Sequence, residues 1–330
     1  MIKEAIEKLK KGENLGFELT KNIFDKLLEG VEDEELAKEF LSLLADKKET
    51  ADEIYAAALS LREHADGIEI EENALDTCGT GGDGKNTFNI STASAILCSL
   101  FIPVAKHGNR AVSSKSGSAD VLDALSIPTT LSKDKAIKFF YENKFAFLFA
   151  PNFHPATKNV AQIRKKLKRR TIFNLIGPLA NPFFVKNQLI GVFSTDFTEA
   201  IFEAALNLGI DNIAVVSSYD GMDEISPSAK SICFIKRDGI IKQIEIDPLD
   251  FGIHTDYTDI KGEDAKTNAK MLTEAFEGKR DKLSEIISLN AGFSLYISGI
   301  ADTPKEGFKL ALESIKNGKA LEKLNSLRRS

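Results

Sequence analysis

Gly79, Gly81, Gly82 and Gly84 lie between a short extended run and an apolar helical segment. No other stretch restricts the fold as strongly. Glycine reaches backbone angles closed to other residues and lets a ligand approach the main chain. A glycine turn that feeds a helix N-terminus aims several N–H groups at one point, and that point suits a phosphate. Asn89, Ser91 and Thr92 follow as side-chain donors and candidate caps for a helix over 93–101. A plain surface turn accounts for a lone Gly-x-Gly pair. It accounts poorly for four glycines beside Asp83 and a run of Thr, Asn and Ser.

Around this turn the texture is α/β. Apolar runs at 104–106, 145–149, 189–193 and 213–217 alternate with helical patterns at 93–101, 119–125, 133–143 and 198–208. This alternation predicts a mostly parallel central sheet flanked by helices. In such sheets ligands bind beyond the carboxyl ends of the strands, where both the glycine turn and Lys106 fall. Residues 231–246 read as a hairpin around Asp238-Gly239, and 264–328 read as helices.

Before residue 67 the pattern is helical throughout. Apolar stripes run through Ile2, Ile6 and Leu9, through Ile23, Phe24, Leu27 and Leu28, and through Leu36, Phe40, Leu41 and Leu44. A fourth helix opens on Thr50-Ala51-Asp52-Glu53, a capping-box pattern. The expected organisation is a small all-helical domain over 1–66, with a contribution from about 165–185, and a larger α/β domain over 67–330.

Net charge is −6 over 330 residues, so a nucleic-acid binder is disfavoured. Cys78, Cys98 and Cys233 have neither metal nor disulfide spacing and read as reduced thiols of a cytoplasmic protein. Residues 1–7 mix charges and do not read as a signal peptide. No window reaches the roughly 20 apolar residues of a membrane helix, so no membrane partner is expected.

Two further clusters carry chemistry. Residues 106–120 hold Lys106, Arg110 and Lys115 with two glycines and four serines, again after a strand and before a helix. Cations with hydroxyls suit several phosphate oxygens, and two such loops suggest a ligand with two phosphate groups. Asp223-Glu224 follows a strand and suits Mg²⁺, which takes carboxylates, water and substrate phosphates. Either cluster, read alone, is also an ordinary polar turn. The basic run Arg164-Lys165-Lys166-Leu167-Lys168-Arg169-Arg170 reads mainly as a solvated helix face. A polyphosphate with Mg²⁺ points to transfer chemistry on an activated phosphate ester. Kinase, P-loop and dinucleotide fingerprints are absent from the sequence.

Gly79-Thr80-Gly81-Gly82-Asp83, Thr87-Phe88-Asn89-Ile90-Ser91-Thr92, Lys106-His107-Gly108-Asn109-Arg110, Gly117-Ser118-Ala119-Asp120-Val121-Leu122 and Arg170-Thr171-Ile172-Phe173-Asn174-Leu175-Ile176-Gly177-Pro178-Leu179 stand in this order. Together they resemble the anthranilate phosphoribosyltransferase family. The resemblance implies a helical domain joined to an α/β domain, usually a homodimer through the helical domain. It implies transfer of phosphoribosyl from phosphoribosyl pyrophosphate to anthranilate, in tryptophan biosynthesis, with Mg²⁺. Association with a glutamine amidotransferase component is a further partner it brings into view.

Carried onto this chain, the resemblance gives phosphoribosyl pyrophosphate to Gly79, Gly82, Asp83, Thr87, Asn89, Ile90, Ser91 and Thr92. It adds a mobile loop of Lys106, His107, Gly108, Asn109, Arg110, Ala111, Val112, Ser113 and Ser114, with Ser118. Gly79, Asn109 and Arg164 would meet anthranilate, and His107, Pro151 and His154 would line its path. Ser91, Asp223 and Glu224 would hold the metal. Arg164 is singled out of its basic run because guanidinium grips a carboxylate bidentately. His64 and His254 read as structural or surface residues. No general base is expected, because the acceptor amine is already neutral. Three departures stand out: Ser217-Ser218 where relatives often have His-Gly, and Lys168 and Ser126 where glycine is expected. The alternative readings are a pyrimidine nucleoside phosphorylase-like enzyme and a non-catalytic nucleic-acid-binding relative of the same fold.

Overall fold

The computed structural model describes residues 1–111 and 115–329. Four helices open the chain: α1 (Ile2–Lys10), α2 (Gly16–Glu29), α3 (Glu34–Lys47) and α4 (Ala51–Glu63). Their apolar stripes face one another and are buried. The Thr50–Glu53 capping box forms as the sequence predicts. Glu53 also accepts the Leu15 N–H at 2.9 Å and pairs with Lys47 at 2.9 Å, so one buried carboxylate ties three turns of the bundle together.

The sheet has seven strands in the order β3-β2-β1-β4-β5-β6-β7. They are β1 (Leu75–Gly79), β2 (Val104–Gly108), β3 (Phe145–Phe149), β4 (Asn187–Gly191), β5 (Asn212–Ser218), β6 (Ser231–Arg237) and β7 (Ile240–Ile246). The first five run parallel, and the 231–246 hairpin extends the sheet antiparallel. Period-2 alternation divides the core. Ile190, Ile213 and Val215 face the helical bundle and the helix Thr198–Asn207. Leu189, Ala214 and Val216 face the other side, where the helix Asp281–Ile297 packs. Val160, Ile163, Ile172 and Phe173 bury with α1–α4.

Some boundaries move. The helix after the glycine turn, α5, spans Ile90–Cys98 and not 93–101. Ile90, Ser91 and Thr92 therefore form its first turn. Asn89 occupies the cap position, but its side chain makes no capping bond. Lys106, His107 and Gly108 lie within β2, paired with Phe147, Leu148 and Phe149, so they are not part of a loop. β4 runs two residues earlier than the apolar run suggested, because Asn187 and Gln188 are buried by hydrogen bonds to Ala74 O and Pro178 O. Val112, Ser113 and Ser114 lie outside the described residues.

The glycine departures have a conformational meaning. Lys168 (φ 49°) ends its helix in the left-handed region, and Ser126 adopts φ 62°. Both are positions where a Cβ is strained. Replacing each by glycine is expected to stabilise the fold by about 0.5–1 kcal/mol, the relieved strain exceeding glycine's larger unfolded-state entropy. Urea midpoints of Lys168→Gly and Ser126→Gly check this; a lower midpoint in either would show that the surroundings already absorb the strain.

Candidate active site

The site lies at the carboxyl ends of β1, β2, β4 and β5, where strand order reverses between β1 and β4. A cavity of about 420 Å³ opens there. It is lined by Gly79, Gly82, Asp83, Thr87, Asn89, Ser91, Lys106, His107, Gly108, Asn109, Arg110, Ala111, Ser118, Pro151, His154, Arg164, Asp223 and Glu224. The fold thus gathers three sequence clusters and the selected arginine around one space. Ile90 and Thr92 do not line it. Both are fully buried, and the Ile90 N–H donates to Phe88 O at 2.7 Å.

Gly79 and Gly191 are direct partners across β1 and β4. A Cβ at Gly79 would stand 2.3 Å from Asp223 Oδ2, and one at Gly191 would stand 1.6 Å from Asp223 O. The paired glycines form a slot into which the 223–224 segment descends. Asp223 Oδ2 accepts the Gly81 N–H at 2.7 Å, and Glu224 Oε1 accepts the Ser91 N–H at 3.1 Å. Glu224 therefore satisfies the start of α5, the place Asn89 was expected to serve. From the far side, Asn290 accepts the Ile225 N–H at 3.0 Å and donates to Ile225 O at 3.2 Å, clamping the segment.

The carboxylates are strained electrostatically. Burial, and then the neighbouring charges of Asp83 and Asp223, raise Asp223 and Glu224 above the usual carboxylate range. Glu224 Oε2 and Asp83 Oδ2 are buried with no hydrogen-bond partner among the described residues. Hard anionic oxygens left without donors fit a divalent cation such as Mg²⁺. Among the described residues no group of three or more His, Cys, Asp or Glu side chains is disposed to hold a metal. A cation at Asp223 and Glu224 would complete its shell with phosphate and water oxygens. The Ser91 hydroxyl sits nearby, 3.4 Å from Lys106 Nζ.

Lys106 is buried, and its ammonium donates to Thr77 O as well as to Ser91. Beneath it Asp76 accepts the His107 N–H at 3.1 Å and Asn181 Nδ2 at 2.8 Å. Burial pushes Asp76 up to about 6 against the pull of Lys106. Arg110 pairs with Asp120 at 3.0 Å and Asp123 at 2.7 Å, so its charge is held by protein carboxylates at the cavity rim.

His107 and His154, which also line the cavity, meet at a tilt of 51° with ring centroids 5.1 Å apart. Among the described residues neither ring has a hydrogen-bonded nitrogen. Burial, and then the neighbouring His154, pulls His107 well below the usual range, and burial pulls His154 down to about 4, with the backbone of Gly177 for the first and of Ala180 and Leu61 for the second acting the other way. Both rings are neutral near pH 7 and form an aromatic, weakly basic wall.

Arg164 lies on the helix Lys158–Leu167, half-buried, with its guanidinium 5.1 Å from the Phe173 ring centroid. It has no carboxylate partner among the described residues, whereas Lys166 and Arg169 of the same run pair with Glu34 and Asp46. His64 bonds Ser60 O, and His254 is exposed, as expected. Cys78, Cys98 and Cys233 are free thiols.

Some contributors were missed in the sequence. Phe173, Asn174, Gly177 and Pro178 line the cavity. Arg170 stacks on Phe193 at 4.0 Å and donates to Gly82 O. The resembling motif over 170–179 held the signal for these. Gly191 and Asn290 carried none, because their roles arise from contacts with residues far along the chain.

This architecture belongs to a known class. Residues 71–321 match the family model described as glycosyl transferase family, a/b domain, and residues 3–65 match its helical bundle domain. The chain is 41% identical over 330 residues to anthranilate phosphoribosyltransferase of Thermoanaerobacter sp. (strain X514), covering 99% of this chain and 98% of that one. The crystal structure of anthranilate phosphoribosyltransferase from Thermus thermophilus is 33% identical, with a TM-score of 0.91 over 99% of both chains. The Saccharomyces cerevisiae enzyme in complex with PRPP and Mg is 28% identical, with a TM-score of 0.87 over 99% of this chain and 96% of that one. The chain belongs to the anthranilate phosphoribosyltransferase family.

Proposed function

We propose that this chain transfers the phosphoribosyl group of 5-phosphoribosyl 1-pyrophosphate to the amine of anthranilate. The products are N-(5-phosphoribosyl)anthranilate and pyrophosphate, and the step belongs to tryptophan biosynthesis. The observation that carries the reading is Arg164: a half-buried guanidinium, without a carboxylate partner among the described residues, lines the same cavity as the glycine turn. A donor with phosphates fits one side, and an acceptor with a carboxylate fits the other. A nucleoside phosphorylase would leave Arg164 idle, and net charge −6 opposes a nucleic-acid role.

The chemistry follows from charge. The ribose C1–O bond breaks, its electron pair leaves with pyrophosphate, the N–C1 bond forms, and the amine passes its proton to the departing pyrophosphate or to water. Positive charge develops on the ribose and negative charge on the leaving group. Gly79, Gly82, Asp83 and Thr87 hold the phosphates together with Asn89, Thr92 and the Ser91 hydroxyl at the start of α5, the Ile90 and Ser91 N–H groups being taken by Phe88 O and Glu224. Lys106 adds a fixed cation beside Ser91. Asn109, Arg110, Ala111 and Ser118 line the cavity where the donor is to sit. Bound at Asp223, Glu224 and Ser91, Mg²⁺ supplies neutralisation of pyrophosphate charge. Gly79, Asn109 and Arg164 orient anthranilate; His107, Pro151 and His154 guide its flat ring. No side chain serves as general base, and positioning carries much of the rate.

The same reading divides the chain at about residue 66, with 165–185 lent to the helical unit. It makes the molecule a cytoplasmic homodimer through that unit, with a glutamine amidotransferase component as a candidate partner. No helix among the described residues is long and apolar enough to cross a membrane. Light scattering tests the dimer.

Loss of anthranilate fluorescence, dependent on enzyme, phosphoribosyl pyrophosphate and Mg²⁺ together, tests the reaction. A folded chain that binds the donor but consumes no anthranilate would move the acceptor elsewhere. A pH dependence follows from the site. Asp223 and Glu224 are raised, so a metal must displace protons as pH falls toward the acid side of neutral. Apparent Mg²⁺ affinity is expected to drop about ten- to hundredfold per pH unit there, one or two protons competing. Mg²⁺ titrations of activity at descending pH check it; a flat affinity would mean both carboxylates are already ionised.

A further inference from the structure

Asn89 sits where α5 begins, at the edge of the phosphate-facing cavity, yet its side chain neither caps the helix nor points freely at a ligand. It is held in a relay of amides. The Glu263 N–H donates to Asn268 Oδ1 at 2.8 Å. Asn268 Nδ2 donates to Asn89 Oδ1 at 2.9 Å. Asn89 Nδ2 donates to Ser116 O at 3.2 Å. A backbone N–H begins the relay and a backbone carbonyl ends it. The first can only donate and the second can only accept, so both amide orientations are determined. Neither asparagine can flip without setting like against like.

The far end of the relay is firmly seated. Phe88 N donates to Ile260 O and Gly262 N to Asn86 O, both at 2.8 Å, so the 260–263 segment lies flat on the exit of the glycine turn. A Cβ at Gly262 would stand 2.4 Å from Thr87 O. Asn268 is buried at 1% exposure. It therefore links a rigid strap, the start of α5 and the segment at Ser116 that leads into the cavity rim.

We propose that Asn268, a residue of the helix Ala265–Phe276 outside the cavity, is a positioning residue for the phosphate site: through Asn89 it holds the Ser116 segment in its ligand-binding place. The inference rests on the phosphoribosyl pyrophosphate reading for its kinetic consequence, but the physical link stands without it. Asn268→Asp keeps the size and the acceptor for Glu263 but sets a carboxylate oxygen against Asn89 Oδ1. A flip of Asn89 cannot repair this, since its oxygen would then face Ser116 O. Asn268→Ala removes both bonds without the repulsion. Simple packing predicts that Ala is the more damaging change; the relay predicts that Asp is.

The test uses the full chain. Trypsin cleavage after the exposed Lys115 is timed without ligand, with cleavage after Lys48 in the helical bundle as internal reference. Anthranilate turnover is then titrated with phosphoribosyl pyrophosphate. For Asn268→Asp, cleavage at Lys115 relative to Lys48 is expected to rise about tenfold, and the donor KM to rise about tenfold, the cost of one buried bond lost against a charge. Its kcat should change by less than about threefold, and Asn268→Ala should fall between it and the wild type. Wild-type protection and KM in Asn268→Asp, or greater damage from Ala on both readouts, overturns the proposal. If the wild type itself turns over no phosphoribosyl pyrophosphate, the functional reading fails, and the cleavage comparison alone decides the role of Asn268.

Discussion

Arg164→Ala is expected to raise the KM for anthranilate by about a hundred- to a thousandfold, the cost of removing a bidentate, partly desolvated charge contact. The guanidinium is half-buried over Phe173 and has no carboxylate among the described residues to satisfy it, so its charge is available to a ligand. Burial already lowers its pKa, a price the fold bears for a cation placed inside a cavity. Because the donor site proposed above does not include Arg164, the donor KM should move by less than about fivefold. Arg164→Lys should recover only part of the loss, since an ammonium is a point charge without the planar fork. Steady-state titration of each substrate separates these outcomes. Equal weakening of both substrates would show that Arg164 supports the fold of the cavity and does not select the acceptor.

Gly191→Ala is expected to cost at least about a hundredfold in kcat/KM, because small displacements of reacting groups carry penalties of that size. The added Cβ would stand 1.6 Å from Asp223 O and 2.4 Å from its carbonyl carbon, so the acidic segment cannot keep its place. Backbone, and not a yielding side-chain tip, is what it meets. Glu224 would also withdraw from the Ser91 N–H at the start of α5, coupling damage at the proposed metal site to damage at the proposed phosphate site. A stability loss of about 1–3 kcal/mol should accompany this overpacking. Kinetics with a Mg²⁺ titration, beside urea unfolding, give both numbers. A variant with normal Mg²⁺ dependence would show that the segment can shift outward at no functional cost.

Much of this protein is legible locally. The glycine turn, the capping box at Thr50, the helix over 133–143, the β3 run and the hairpin at Asp238-Gly239 all follow from short-range pattern. Head-group chemistry separates Arg164 from the lysines of its run but not from Arg169 and Arg170; the family resemblance singled it out, and the structure leaves it without the carboxylate partners that Lys166 and Arg169 have. Boundaries were read less well where tertiary bonds outweigh propensity. The helix α5 starts at Ile90 because Glu224, 133 residues away, receives the Ser91 N–H. Lys168 and Ser126 take left-handed angles that their own side chains disfavour, because the chain reversal there is imposed from outside.

The sequence by itself determined the alternation of strands and helices, the glycine turn, the acidic pair and the family resemblance, since each depends on residues within a turn or two of one another. Only the tertiary structure decided that Gly191 must lack a side chain, that Arg110 is held by Asp120 and Asp123, and that Asn268 reaches Asn89. Those facts depend on distances between segments far apart in the chain. Close packing permits one arrangement of such segments, and no local pattern encodes it.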